Sequence, residues 1–383
     1  MTTTSSPKVV VVGGGYAGVE AAKALDKNFD VTLVAGGETF RHVVAGIRCC
    51  VLPANTPRML IPYSKMLKRG KVITCLATKI DAQECSVTTA TGETLPYDFL
   101  ILATGVLHPK TVGLGGGVLS SAGQTAVFEK ANAELTIAKE ILIVGGGPIG
   151  IETAGEIKQE FPQKNVTVVT SKELMPSEHV VLPDKLRTRL TDKLKKVGVL
   201  VYTDGGHVDY SKDDTDDCGF IVGKKTYTWI GGAMEADMCI VATGRMETPA
   251  LYADSGLEGW LDSKGLVSVD RTFEVKGAGG GGKVFAVGDC TDLPIPKTAY
   301  VAGETGVCVA KNVAASATGK PLKDVVPPVV PVSLVPVGRH GGVSALPMGV
   351  VVGDFVTKQM KSKDMFTSKY WKAMHAGRAP PLP

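Results

Sequence analysis

No stretch of the 383 residues contains the roughly 18 uninterrupted apolar residues that a spanning helix needs, so the sequence predicts no membrane-crossing helix. Paired cysteines are also missing. Cys49, Cys50, Cys75, Cys85, Cys218, Cys239, Cys290 and Cys308 include no C-x-x-C, no zinc spacing and no disulfide framework, which makes a reducing compartment the expectation. Strong charge of one sign is lacking too, with a formal net charge of +4 on 383 residues. That excess sits entirely beyond residue 353, where Lys358, Lys361, Lys363, Lys369, Lys372 and Arg378 face Asp354 and Asp364. A neutral body with a modestly basic tail offers no groove for nucleic acid. The few residues ahead of the first predicted strand leave no room for a signal or transit peptide, and Thr2 stands where myristoylation requires glycine. The expectation is a cytoplasmic protein, either free or peripheral on a membrane.

What the sequence does contain is one layout written twice. Lys8 to Val12 is a short β-branched run, followed by Gly13-Gly14-Gly15-Tyr16-Ala17-Gly18, a helical pattern to Lys27 and a second strand at Asp30 to Val34. Glu140 to Val144 opens the same order, with Gly145-Gly146-Gly147-Pro148-Ile149-Gly150, a helix through Glu160 and a strand at Asn165 to Val169. Strand, G-x-G-x-x-G, helix and strand form the dinucleotide-binding unit. The first glycine (Gly13, Gly145) turns out of the strand, and the second (Gly15, Gly147) lets a pyrophosphate touch backbone. The third (Gly18, Gly150) lets helix pack on strand. The N–H groups of Tyr16 and Ala17 then point at the phosphates from the helix N-terminus. The duplication predicts an α/β protein with two nested Rossmann-like domains.

Each half also closes alike. Asp98 to Gly105 ends in Ala103-Thr104-Gly105, and Asp237 to Gly244 ends in Ala242-Thr243-Gly244. A third buried strand, Val284 to Asp289, ends in an acid able to bond a ribityl hydroxyl of FAD, unless Asp289 is an ordinary turn acid.

These motifs resemble the two-dinucleotide, glutathione-reductase-like flavoproteins over nearly the whole chain. Phe40-Arg41-His42, Ile47-Arg48, Pro296-Lys297-Thr298-Ala299-Tyr300, Ala302-Gly303 and Lys361-Ser362-Lys363-Asp364-Met365-Phe366 resemble more closely the ferroptosis-suppressor branch of the apoptosis-inducing-factor-like proteins. The resemblance implies bound FAD, NADH or NADPH as co-substrate, a quinone as acceptor and activity at membrane surfaces. It places Glu152 beside the nicotinamide and flavin rings as a candidate catalytic group, against its reading as a helix-start acid. Lys297, with the helix starting near Thr298 and Ala299, would steady negative charge on the reduced ring, against its reading as a surface lysine. Phe40, His42 or Arg48 would lie against the ring.

Disulfide reductases of this fold need two cysteines near the flavin, and the chain lacks that pair. Cys49-Cys50 leaves a single-cysteine peroxide or coenzyme A-disulfide reductase as an alternative, since neighbouring cysteines can oxidise without bridging. A monodehydroascorbate-type reductase and an NADH-sensing flavoprotein that signals through partners are further alternatives.

Two departures stand out. The second strand of the first unit ends at Ala35-Gly36-Gly37 rather than at a ribose-binding acid, with Glu38 nearby but out of register. In the second unit Thr170-Ser171-Lys172 holds that place, so Lys172 predicts that NADPH is accepted as well as NADH.

The expected organisation is an FAD-binding unit from residues 1–115 and 264–330 around an NAD(P)H-binding unit of 116–263, with glycine-rich stretches at Gly113 to Gly117 and Gly277 to Gly282 that fit domain edges or hairpin tips. Asp213, Asp214, Asp216 and Asp217 read as a solvated hairpin turn. Beyond the proline-rich stretch Pro327 to Pro336, residues 331–383 form a small α+β segment. There, Val343 to Phe355 predicts one or two strands, and Phe366 and Tyr370 share a helix face beside Trp371. Basic and aromatic together, this stretch either touches an anionic membrane and admits a lipid quinone, or packs over the flavin or at a homodimer interface.

Overall fold

Runs such as Val9 to Val12 and Ile141 to Val144 have no polar side, so each must be covered on both faces. Each becomes the central strand of a five-stranded sheet. The computed structural model describes residues 6–106, 120–177, 180–211, 214–216, 218–244, 249–279, 281–325 and 332–383. In the first sheet the order is Val284–Ala286, Phe99–Leu102, Lys8–Val12, Asp30–Val34 and Lys71–Ile73, all parallel. In the second it is Val199–Tyr202, Asn165–Val169, Glu140–Val144, Gly232–Val241 and Phe220–Trp229, parallel except for the outer hairpin.

Helices Tyr16–Leu25 and Pro148–Glu160 make the first crossover in each unit. A long helix, Ala299–Ser316, packs across Tyr16–Leu25 so closely that a Cβ on Gly306 would overlap the Ala17 carbonyl. Three smaller sheets complete the chain: Ala77–Asp81 with Ser86–Thr89 and Thr94–Pro96, Thr39–Arg41 with Leu60–Pro62, and Ser333–Pro336 with Gly342–Ala345 and Val351–Val352. Among the described residues no helix is long and apolar enough to cross a membrane.

The packing corrects the expected end of the inserted unit. Leu251, Tyr252, Leu257 and Trp260 share one apolar cluster with Val10, Val12 and Val284, so this stretch belongs with the first sheet and the inserted unit closes before residue 263. Gly277, Gly279, Gly281 and Gly282 lie at the tip where Val275 and Val284 meet, the hairpin tip of the two expectations for this stretch. Gly113 to Gly117 lies outside the described residues, as do Asp213, Asp217 and residues 326–331. Asp214 pairs with Lys225 at 2.6 Å, while Asp216 accepts the Cys218 and Phe220 amides.

The C-terminal segment differs most from expectation. The stretch expected as one helical face is interrupted: Lys358–Ser362 is a π-turn, and Met365 and Phe366 adopt φ of 51° and 63° before a second helix at Thr367–Ala373. Tyr370 and Trp371 are packed onto the first unit, with Trp371 Nε1 donating to the Arg58 carbonyl at 2.8 Å.

Candidate functional site

The two glycine turns are built alike. The Gly13 amide donates to the Val34 carbonyl and the Gly145 amide to Val169, both at 2.8 Å. Gly13 (φ +118°) and Gly145 (φ +126°) occupy backbone that L side chains rarely adopt, and a Cβ on either would overlap a carbonyl, that of Ala103 or that of Ala242. A Cβ on Gly18 would overlap the Gly13 carbonyl, and one on Gly150 the Gly145 carbonyl. At Gly15 and Gly147 the opposite holds, with nothing within 4 Å of a built Cβ and no side chain capping the helix. The strand-facing glycines are crowded and the phosphate-facing ones open, which is the shape a dinucleotide needs at each helix N-terminus. The Ala-Thr-Gly ends are matched too. Thr104 bonds the Tyr252 hydroxyl at 2.8 Å, Thr243 bonds the Tyr210 hydroxyl at 3.3 Å, and Gly105 and Gly244 turn with φ of +65° and +71°.

At the open end of the first sheet, the strand Val284–Ala286 leads to Gly288 and Asp289. These line one small pocket with Lys297, Val301, Ala302 and Thr305. Lys297 Nζ donates to the Thr291 carbonyl at 2.8 Å. Burial lowers its pKa, against the pull of neighbouring Asp289. Thr298 caps the helix that begins at Ala299 by accepting the Val301 amide at 3.2 Å. Tyr16 stands nearby: its ring meets Phe40 and Tyr370 edge-on, each at 5.1 Å, and its hydroxyl lies 2.9 Å from His42 Nδ1. With Ala299, Tyr300 and Lys369, these aromatics line a cleft of about 190 Å³.

Glu152 is buried in the helix Pro148–Glu160, and its Oε1 lies 2.6 Å from Nζ of Lys361 in the C-terminal π-turn. Burial raises the Glu152 pKa and the lysine opposes that rise. One turn further on, Glu156 holds Arg48 through Nε and Nη2, and the guanidinium also donates to the Ser362 and Lys363 carbonyls. Arg48, expected against the flavin ring, is thus engaged as a tie between the first unit, the second unit and the C-terminal segment. Lys361, Glu156 and Tyr370 were missed as site residues. Lys361 opens the motif Lys361 to Phe366, but nothing local to it signals a partner 209 residues away.

Glu38 Oε2 accepts the Ser121 amide at 2.9 Å, which fastens it to the start of the helix Ser121–Ile137. Lys172 is exposed on the loop after Asn165–Val169, and Glu173 beside it pairs with Arg187 at 2.8 Å. Cys49 and Cys50 are buried. Burial pushes the Cys49 thiol up to about 12 and raises Cys50 as well, so neither is placed to serve as a thiolate at neutral pH.

Residues 7–306 match the family described as pyridine nucleotide-disulphide oxidoreductase. Apoptosis-inducing factor homolog B of Dictyostelium discoideum is 30% identical over 382 residues, covering 96% of this chain and 97% of the relative. Ferroptosis suppressor protein 1 of Homo sapiens is 31% identical over 385 residues, covering 97% and 96%. Among solved structures, the sulfide:quinone oxidoreductase of Aquifex aeolicus aligns with a TM-score of 0.74 at 19% identity, covering 98% of this chain and 93% of that one. The relatives carry the names that the motifs led one to expect.

Proposed function

The chain belongs to the pyridine nucleotide-disulphide oxidoreductase family, an oxidoreductase that binds FAD and uses NAD(P)H, and from that premise we propose that a quinone takes the electrons directly, without a redox thiol. When bound, FAD supplies the two-electron chemistry between nicotinamide and acceptor. The protein's own contribution is binding and charge.

In this reading Glu152, held by Lys361, orients the nicotinamide carboxamide, because proximity and alignment set the rate of hydride transfer. Lys297 and the capped helix start at Ala299 place positive potential at the end of the first sheet, where charge accumulates on reduction. The Tyr16, Phe40 and Tyr370 cleft offers aromatic surface to a flat ring.

The observation that carries the quinone reading is this aromatic cleft beside the Asp289–Lys297 end, in a chain where Cys49, Cys50 and Cys290 are buried and burial raises their pKa. The Aquifex neighbour is named a sulfide:quinone oxidoreductase. Steady-state turnover with a ubiquinone analogue, monodehydroascorbate, hydrogen peroxide and coenzyme A disulfide tests the reading. Fast turnover with the quinone supports it, and preference for any of the other three overturns it.

The lipid side of the reading rests on a different face from the one expected. Tyr370 and Trp371 are packed, whereas Met348, Phe355, Val350 and Met360 are 95%, 77%, 50% and 41% exposed. Beside them, Arg189 donates to the Val351 carbonyl and Lys193 pairs with Asp354 at 2.7 Å, so the basic helix Asp184–Lys196 flanks the apolar tip. Apolar tips rimmed by lysine and arginine suit the surface of an anionic bilayer.

A further inference from the structure

Arg41 ends the short strand Thr39–Arg41, paired with Leu60. Its neighbour Phe40 turns toward the Tyr16 ring, so strand alternation sends Arg41 the other way, toward Tyr63 and the helix Ser121–Ile137. There Nη1 donates to Gln124 Oε1 at 3.3 Å, and among the described residues no carboxylate forms an ion pair with the guanidinium. Three other cations near the site pair with carboxylates, Arg48 with Glu156, Arg58 with Asp364 and Lys361 with Glu152, while Lys297 donates to the Thr291 carbonyl beside Asp289. A half-buried guanidinium without an anion is an unfavourable arrangement unless a ligand supplies one. Burial draws its pKa down, as expected for a cation with no carboxylate beside it.

The surroundings of Arg41 name the ligand's chemistry. Tyr63, its electrostatic neighbour, donates its hydroxyl hydrogen bond to the Gly14 carbonyl at 2.7 Å, inside the first glycine turn. Gly15, the next residue, is the open corner of that turn. Glu38 is fastened to the first residue of the same helix that presents Gln124. The cation, the open corner and the one nearby acid therefore border a single region at the end of the first unit. A diphosphate diester brings two negative charges there, and a helix N-terminus answers only about half of one.

We propose that Arg41 is the counter-cation for the diphosphate of the FAD that the first unit binds, a residue outside the glycine fingerprint. The inference rests on the FAD reading and adds to it one side chain that the free protein holds without an anion. Two consequences follow together. Removing the charge weakens FAD binding, and it relieves the apoprotein of an unanswered cation.

The test uses the full chain, stripped of flavin and titrated with FAD by flavin fluorescence across a series of salt concentrations, for wild type, Arg41→Met and Arg41→Lys. Thermal unfolding of each apoprotein is measured alongside. The expected result for Arg41→Met is FAD binding weaker by about ten- to a hundredfold, the range of a charge-assisted contact, with a shallower salt dependence. Its apoprotein melts at or above the wild-type temperature, and Arg41→Lys recovers part of the affinity. Unchanged FAD affinity and salt slope in Arg41→Met, with wild type binding FAD, overturns the inference alone. So does a lowered apoprotein melting temperature with an unchanged salt slope, which marks a structural arginine. Failure of the wild-type chain to bind FAD overturns the cofactor reading and this inference with it.

Discussion

Lys361 Nζ lies 2.6 Å from Glu152 Oε1, joining the C-terminal π-turn to the second turn of the nicotinamide-unit helix across 209 residues of chain. Burial raises the Glu152 pKa and Lys361 limits that rise, so removing the lysine shifts Glu152 further toward the protonated acid. Glu152→Gln is expected to slow flavin reduction by NAD(P)H about a hundredfold, the scale of a lost alignment. Lys361→Met is expected to slow it at neutral pH and recover as pH rises, because the unpaired Glu152 then ionises. Stopped-flow reduction between pH 6 and 9 checks both variants, and wild-type rates in both would remove Glu152 from the mechanism.

The Arg48–Glu156 pair predicts a stability effect. Both side chains are sealed from water, with Nη2 and Oε1 at 2.6 Å. Arg48→Met leaves a buried carboxylate unpaired and is expected to cost about 3–5 kcal/mol. Arg48→Met combined with Glu156→Leu should cost less than Arg48→Met alone. Chemical denaturation of the two singles and the double gives the coupling; additive losses would contradict the tie.

His42 predicts the acid limb of stability. Nε2 faces the Met365 carbonyl at 2.6 Å, and a carbonyl only accepts, so Nε2 carries the proton and Nδ1 accepts from the Tyr16 hydroxyl. The ring is neutral, and burial pushes its pKa down to about 4. Unfolded, it titrates near 6.5, so between those values the unfolded chain binds the extra proton. Its contribution is complete above pH ~6.5 and is lost toward pH 4, a fall of roughly 3 kcal/mol. Melting temperatures from pH 7 to 4.5 should drop in wild type and drop less in His42→Gln.

The paired glycines predict separable losses. Gly13→Ala forces a Cβ into the Ala103 carbonyl and should give protein without flavin. Gly145→Ala meets the Ala242 carbonyl in the other unit and should keep flavin that NAD(P)H no longer reduces. Absorbance of the purified variants before and after NADPH distinguishes the two.

Met348 and Phe355 predict a membrane contact. Met348→Ser with Phe355→Ser should lose flotation with anionic vesicles while keeping turnover of a water-soluble quinone. Unchanged flotation would place the contact elsewhere. A wild-type dimer broken by the same pair would make this face a subunit interface.

The two dinucleotide units were legible because their demands are local: within six residues each fingerprint places glycine where a Cβ would overlap a neighbouring carbonyl. The same holds for Thr298, whose cap is three residues from its partner amide. What lay beyond the sequence was pairing at long range. The Arg48 ion pair was invisible in the sequence because its anion, Glu156, lies 108 residues away in the other unit. Whether Phe366, Tyr370 and Trp371 face a membrane or pack inward was open in the sequence, because periodicity assumes an unbroken helix and does not show the left-handed turn at Met365 and Phe366 that precedes the helix Thr367–Ala373. Arg41 belongs to the Phe40-Arg41-His42 motif, yet the lack of a carboxylate partner among the described residues becomes visible only once its neighbours are in place.

The most direct test of the central claim is stopped-flow absorbance of the purified flavoprotein, mixed first with NADPH and then with a soluble ubiquinone analogue. The account predicts bleaching of the flavin band followed by rapid recovery on adding quinone. Bleaching that quinone fails to reverse would contradict direct electron transfer to a quinone, and a chain that carries no flavin would contradict the account at its root.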